Sequence, residues 1–115
     1  MSSVLLVEDE FLIRAVLVDA LGEAGLACIE APTGQAALDV VSGTAPLSAI
    51  IVDIGLPDMS GEKVIEAAAQ CRPGTPIIRC SGAGGGTPMP GVHVFPKPYS
   101  ATELSKFVAS LIARG

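Results

Sequence analysis

Five side chains in this sequence follow short apolar runs, and their types suit phosphoryl transfer. Asp53 closes the run Leu47-Ser48-Ala49-Ile50-Ile51-Val52 and leads into a Pro/Gly turn that extends to Gly61. The pair Glu8-Asp9 follows Ser3-Val4-Leu5-Leu6-Val7, Ser81 follows Pro76-Ile77-Ile78-Arg79-Cys80, and Lys97 comes just after Val92-His93-Val94-Phe95. Carboxylates gathered in one partly desolvated cleft repel one another and take raised pKa values unless a cation joins them. With oxygen ligands only and no histidine in the pattern, the cation implied is Mg2+. An aspartate nucleophile beside such an ion, with a lysine and a hydroxyl for the equatorial oxygens, is a working set for phosphoryl transfer through an aspartyl phosphate. Asp53 is the better nucleophile because it stands alone, whereas Glu8 and Asp9 are adjacent and suit metal and water contacts.

Each position also has a plainer reading. Asp53 could cap the turn that follows it, and Glu8-Asp9-Glu10 could be a solvated helix start favoured by the helix dipole. Ser81 before Gly82 is ordinary turn chemistry, and Lys97 could be a surface lysine. His93, the single histidine, reads as an exposed edge residue. Gly84-Gly85-Gly86 lacks the lysine and the strand-to-helix context of a phosphate loop and reads as a linker.

The elements that must position these groups follow from periodicity. Apolar, β-prone runs at 3–7, 27–31, 47–53, 76–80 and 92–95 are the expected strands, each without the alternation of a half-exposed strand, which implies a parallel sheet covered on both faces. A first helix is expected with Ile13, Leu17, Ala20, Leu21 and Ala24 on its inner face and Gly25 as its left-handed end. Thr33 is the expected cap of a second, through Ala37, Val40 and Val41 to near Gly43. Ser60 caps a third over about 61–71, with Val64, Ile65, Ala68 and Cys71 inward and Pro73-Gly74 as its stop. Ser100-Ala101-Thr102-Glu103 is a capping-box pattern that opens a last helix striped by Leu104, Phe107, Val108, Leu111 and Ile112. The Gly- and Pro-rich residues 82–91 work against a helix and are expected to form an irregular loop. In a covered parallel sheet the site lies beyond the carboxyl ends of the strands, where the strand order reverses. That is where Glu8, Asp9, Asp53, Ser81 and Lys97 would meet.

Composition narrows the classes. At 115 residues and 11.6 kDa, half of them apolar, the chain has the size of one domain. Its net charge of -5 and scattered basic residues argue against direct nucleic-acid binding. Apolar stretches are interrupted well short of the ~20 residues a membrane helix needs, and the start lacks a basic signal-peptide region, so a cytoplasmic location and no membrane insertion are expected. The three cysteines, Cys28, Cys71 and Cys80, have no metal spacing and read as buried or partly buried free thiols. Met1 and the closed strand pattern lead us to expect a complete chain.

The motifs together resemble the receiver domain of bacterial two-component response regulators over the whole length, 1–115. They are Glu8-Asp9 after the first strand, Asp53 followed by Leu56-Pro57-Asp58-Met59-Ser60-Gly61, Ser81-Gly82 after the fourth, and Lys97-Pro98 after the fifth. The resemblance implies an α/β, flavodoxin-like, doubly wound sheet of five parallel strands in the order 2-1-3-4-5, with helices on both faces. It implies that Asp53 accepts a phosphoryl group from a sensor histidine kinase or histidine phosphotransfer protein. Asp9, Asp53 and the Gly55 backbone carbonyl would bind Mg2+, with Glu8 helping through water, while Ser81 and Lys97 hold the phosphate. The Lys97-Pro98 bond is expected to be cis. The chain would catalyse only its own phosphorylation and dephosphorylation and signal by contact with a downstream protein.

Two departures stand out. Only fifteen residues separate Ser81 from Lys97, so the helix the family usually places there is expected to be short or missing. Where receivers commonly carry an aromatic three residues before the lysine, this chain has Val94, with His93 or Phe95 as substitutes if the strand is shifted. The stretch 76–84 is similar to an alphaproteobacterial receiver subgroup marked by a Phe-Ala-Thr-Gly-Tyr motif, with Arg79 and Ala83 in place of the two aromatics. The competing functions are a degenerate receiver acting as a phosphorylation-independent binding module, and a phosphohydrolase. The latter lacks an acid two residues beyond the nucleophile, where Gly55 stands, and has no room for a cap domain.

Overall fold

A computed structural model describes residues 3–82 and 89–114, with side chains through 113. The apolar runs form β1 (Ser3–Val7), β2 (Cys28–Ala31), β3 (Leu47–Asp53), β4 (Ile77–Ser81) and β5 (Val92–Pro96). The periodic segments form α1 (Phe11–Glu23), α2 (Gly34–Val41), α3 (Gly61–Cys71) and α4 (Ala101–Arg114). The strands pair in parallel in the order β2-β1-β3-β4-β5, the expected doubly wound arrangement.

Strand alternation divides the core. Val4, Leu6, Ala49, Ile51, Ile78 and Cys80 pack with Leu17 and Leu21 of α1 and Leu104 and Val108 of α4. On the opposite face Leu5, Val7, Ile50, Val52 and Ile77 pack with Ala37 and Val41 of α2 and Val64, Ile65 and Ala68 of α3. Burial of each large aliphatic chain contributes roughly 1.5–3 kcal/mol, so both faces must be covered for the sheet to stand.

The helix ends follow the expected chemistry. Gly25, at φ +84°, continues past the C-cap Ala24 in the left-handed region that glycine adopts without a Cβ penalty. Thr33 Oγ1 accepts the Ala36 N–H at 3.1 Å, Ser60 Oγ accepts the Glu62 N–H at 3.2 Å, and Ser100 Oγ accepts the Glu103 N–H at 3.2 Å. Two connections had no signal in the sequence. Arg72 donates to the carbonyls of Val40, Val41, Gly43 and Ala45, satisfying the end of α2 with a cation. Asp58, from the turn after β3, accepts the N–H groups of Gly34 and Gln35 at 2.8 and 2.9 Å, and these bonds hold its carboxyl below the usual range.

Several expectations are corrected. Ile13 is not on the inner face of α1 and Ala24 is exposed, because that helix packs through Leu17 and Leu21 while its first turns, Phe11, Leu12, Ile13 and Val16, meet solvent. Cys71 is exposed at the last turn of α3. Cys28 and Cys80 are enclosed as expected, and burial pushes their thiols up to about 11 and about 12. His93 is half-buried, with its ring edge-on to Phe107 at 5.7 Å. Among the described residues no helix separates β4 from β5, and the expected loop over 82–91 lies largely, at 83–88, outside them. Among the described residues, no helix is long and apolar enough to cross a membrane.

Candidate phosphoacceptor site

Register sets the rim. Val7 lies opposite both Ala31 and Val52, Asp53 opposite Cys80, and Ser81 opposite Pro96. The residues at the strand ends therefore emerge level. They line one cleft of about 560 Å³ containing Glu8, Asp9, Asp53, Gly55, Ser81 and Lys97, together with Glu10 and Arg79. All six residues singled out from the sequence are brought together.

Glu8 is 2% exposed and Asp53 7%, so neither is a solvated helix start or a simple turn cap. Carboxylate oxygens of Glu8, Asp9 and Asp53 all lie within 4.8 Å of one another. Lys97 Nζ donates to Asp53 Oδ1 at 2.9 Å, and the Gly55 N–H reaches the same oxygen at 3.4 Å. Burial lifts the Glu8 carboxyl to about 7, with the charge of Asp53 adding to the effect against the Glu10 N–H bond and the Lys97 charge. Burial alone would depress the Lys97 ammonium, but the bond to Asp53 and the charges of Asp53 and Glu8 outweigh it and raise its pKa. The cleft thus gathers the carboxyl groups of Glu8, Asp9, Glu10 and Asp53 against the cations of Lys97 and Arg79, with Glu8 and Asp53 nearly withdrawn from solvent. A hard divalent cation fits this donor set: carboxylate oxygens supply part of a shell that water or phosphate completes. Such an ion, when bound, neutralises charge on a transferring phosphoryl group.

The backbone around the cleft is fixed from two sides. Lys97 N–H donates to the Ser81 carbonyl at 2.9 Å, which ties the lysine loop to the end of β4, and the Lys97-Pro98 peptide is cis as expected. Gly61 begins α3 directly over the end of β3: a Cβ there would lie 2.5 Å from the Asp53 carbonyl oxygen and 2.8 Å from Ile54 Cα. Backbone cannot yield as a side-chain tip can. Gly61→Ala is therefore expected to cost about 1–3 kcal/mol, read as a lowered thermal midpoint, and to shift the Asp53 and Ile54 amide resonances.

Val94 sits opposite Arg79 in the β4/β5 register and is 51% exposed. The strand is not shifted, and His93 and Phe95 instead pack their rings on Phe107 of α4, so neither replaces an aromatic on the Val94 face. Arg79 is the site residue that sequence reasoning missed. Its Nε meets Glu62 Oε1 at 2.6 Å and its Nη1 donates to Ser81 Oγ at 3.0 Å. A cation inside an otherwise apolar strand, two residues before the hydroxyl, was the available signal.

Comparison with known proteins agrees with this geometry. The chain is 32% identical, over 96% of its length, to the transcriptional regulatory protein PmrA of Pectobacterium parmentieri, and it spans 52% of that protein. Its fold is shared with a response regulator receiver protein from Sinorhizobium medicae at TM-score 0.87 and 22% identity, covering 97% of this chain and 94% of that one. A CheY-like receiver domain protein from Methanospirillum hungatei gives TM-score 0.86 at 22% identity, covering 99% and 95%. The family described as the response regulator receiver domain matches residues 4–108, and with the acid cluster, the hydroxyl and the lysine all at one rim, the chain belongs to that family of two-component signalling domains.

Proposed function

We propose that Asp53 is a phosphoacceptor that takes its phosphoryl group from a histidine of a sensor kinase or phosphotransfer protein. The observation that carries this reading is the 2.9 Å contact between Lys97 Nζ and Asp53 Oδ1, with Glu8 and Asp9 oxygens within 4.8 Å. An Asp53 oxygen attacks phosphorus, the P–N bond of the phosphohistidine breaks, and the imidazole leaves with its electron pair and takes up a proton. Lys97 follows the developing charge on the equatorial oxygens, and the Ser81 hydroxyl donates to one of them. Glu8, Asp9, Asp53 and the Gly55 carbonyl are the groups that would hold Mg2+. A donor protein finds an apolar landing beside the site, since Leu12, Ile13 and Val16 of α1 border Lys97, Pro98 and Tyr99 in one groove.

In this reading the protein catalyses no reaction beyond its own phosphorylation and dephosphorylation, acts in the cytoplasm, and signals by binding a downstream protein. The sequence of 76–84, with Ser81-Gly82 after β4, is the support for a place in the alphaproteobacterial subgroup with a Phe-Ala-Thr-Gly-Tyr-like segment. Incubation with acetyl phosphate and Mg2+ is expected to give a base-labile adduct that mass spectrometry places on Asp53. The Asp53→Asn protein is expected to stay unmodified, whereas an adduct that survives that substitution would move the acceptor elsewhere.

A further inference from the structure

Arg79 joins the phosphoacceptor cleft to α3. Strand alternation turns Arg79 and Ser81 to the face opposite Ile78 and Cys80, and the Arg79 side chain is only 12% exposed. One edge of its guanidinium holds Glu62 in the first turn of α3, another holds Ser81 Oγ, and the group lines the same cleft as Asp53 and Lys97. Guanidinium has donors only, so Ser81 is the acceptor in this bond and its proton points away from Arg79. The neighbour across the strand pair is Val94, too small and too exposed to act as a lever.

We propose that Arg79 is the element that senses phosphorylation: it exchanges Glu62 for phosphoryl oxygens on Asp53 and thereby releases the first turn of α3. The inference rests on the phosphoacceptor reading above. Three comparisons of magnitude support the exchange. A phosphoryl group on Asp53 carries about -1.5 to -2 charge in place of the carboxylate's single charge, more than the single charge of Glu62, and its oxygens match the guanidinium fork. The Glu62 side chain is 44% exposed, so solvent screens its pull, whereas the Asp53 side chain is 9% exposed. Glu62 is placed to carry the change, because it lies one residue past Gly61, which abuts the Asp53 carbonyl, and its N–H is held by the cap residue Ser60. Arg79 is a positioning residue in the resting protein, fixing the Ser81 hydroxyl, and a phosphoryl ligand in the loaded one.

Coupling of this kind is reciprocal, which sets the sign of the test. Titration of the isotopically labelled protein with beryllofluoride in Mg2+, followed by amide NMR, is expected to move Glu62 and Lys63 together with Asp53. Glu62→Gln, which removes the competing charge at a half-exposed position, is expected to tighten beryllofluoride binding by about fivefold or more. Arg79→Gln is expected to weaken it by a similar factor and to silence the shifts at 62 and 63, with Arg79→Lys in between. If Glu62 only props Arg79 in place, Glu62→Gln weakens binding or leaves it unchanged, and the inference is overturned while the acceptor reading stands. A wild-type protein that gives no response at Asp53 overturns both.

Discussion

Lys97→Met is expected to slow phosphorylation of Asp53 by acetyl phosphate about 100- to 1,000-fold, the range found when one preorganised donor to developing charge is removed. The side chains are close in length, so the change deletes the ammonium and keeps most of the apolar stem. The contact it removes is the 2.9 Å bond to Asp53 Oδ1. A time course by mass spectrometry reads the rate, and a wild-type rate in the variant would remove Lys97 from the machinery. The substitution has a second consequence in the resting protein. Lys97 is one of the groups that lower the Glu8 pKa, so without it the acids repel less compensated, and the loss of stability is expected to grow as the pH rises.

The larger pH effect belongs to Glu8 itself. Its carboxyl is raised from 4.5 to about 7 by burial and by Asp53. The folded protein therefore holds a proton that the unfolded chain gives up, and the stability this confers is complete below pH 4.5 and is lost as the pH rises through about 7. The loss is about 2–4 kcal/mol in metal-free protein, and because Glu8 and Asp53 interact it belongs to the pair. Mg2+ reverses the trend, since an ion that needs the ionised carboxylate competes with the proton. Its affinity is expected to be about tenfold higher at pH 8 than at pH 6, measured by calorimetry, with proton release at the lower pH. Glu8→Gln is expected to flatten both curves, stabilising the metal-free fold at pH 8 while weakening the ion. A pH-independent Mg2+ affinity in the native protein would contradict the placement of Glu8 in the cluster.

Much of this protein was written in local patterns. Apolar runs without alternation announced covered parallel strands, and Thr33, Ser60, Ser100 and Gly25 marked helix ends because capping is a short-range exchange of hydrogen bonds. The acid pair, Asp53, Ser81 and Lys97 could be named as one site before any coordinate, since strand ends in such a sheet share a rim. Three things needed the tertiary structure. Helical period marked Ile13 as inward, but which turns of α1 are covered depends on where α4 lies, and its first turns stay bare beside Lys97. Gly61 looked like turn chemistry, whereas its cause is the Asp53 carbonyl pressed against it. Arg79 looked like an odd charge in a strand, because its partners Glu62 and Ser81 come from α3 and from two residues on along β4. Sequence spacing determines which side chains share a face or an end, and only the packing of one element on another decides which charges touch.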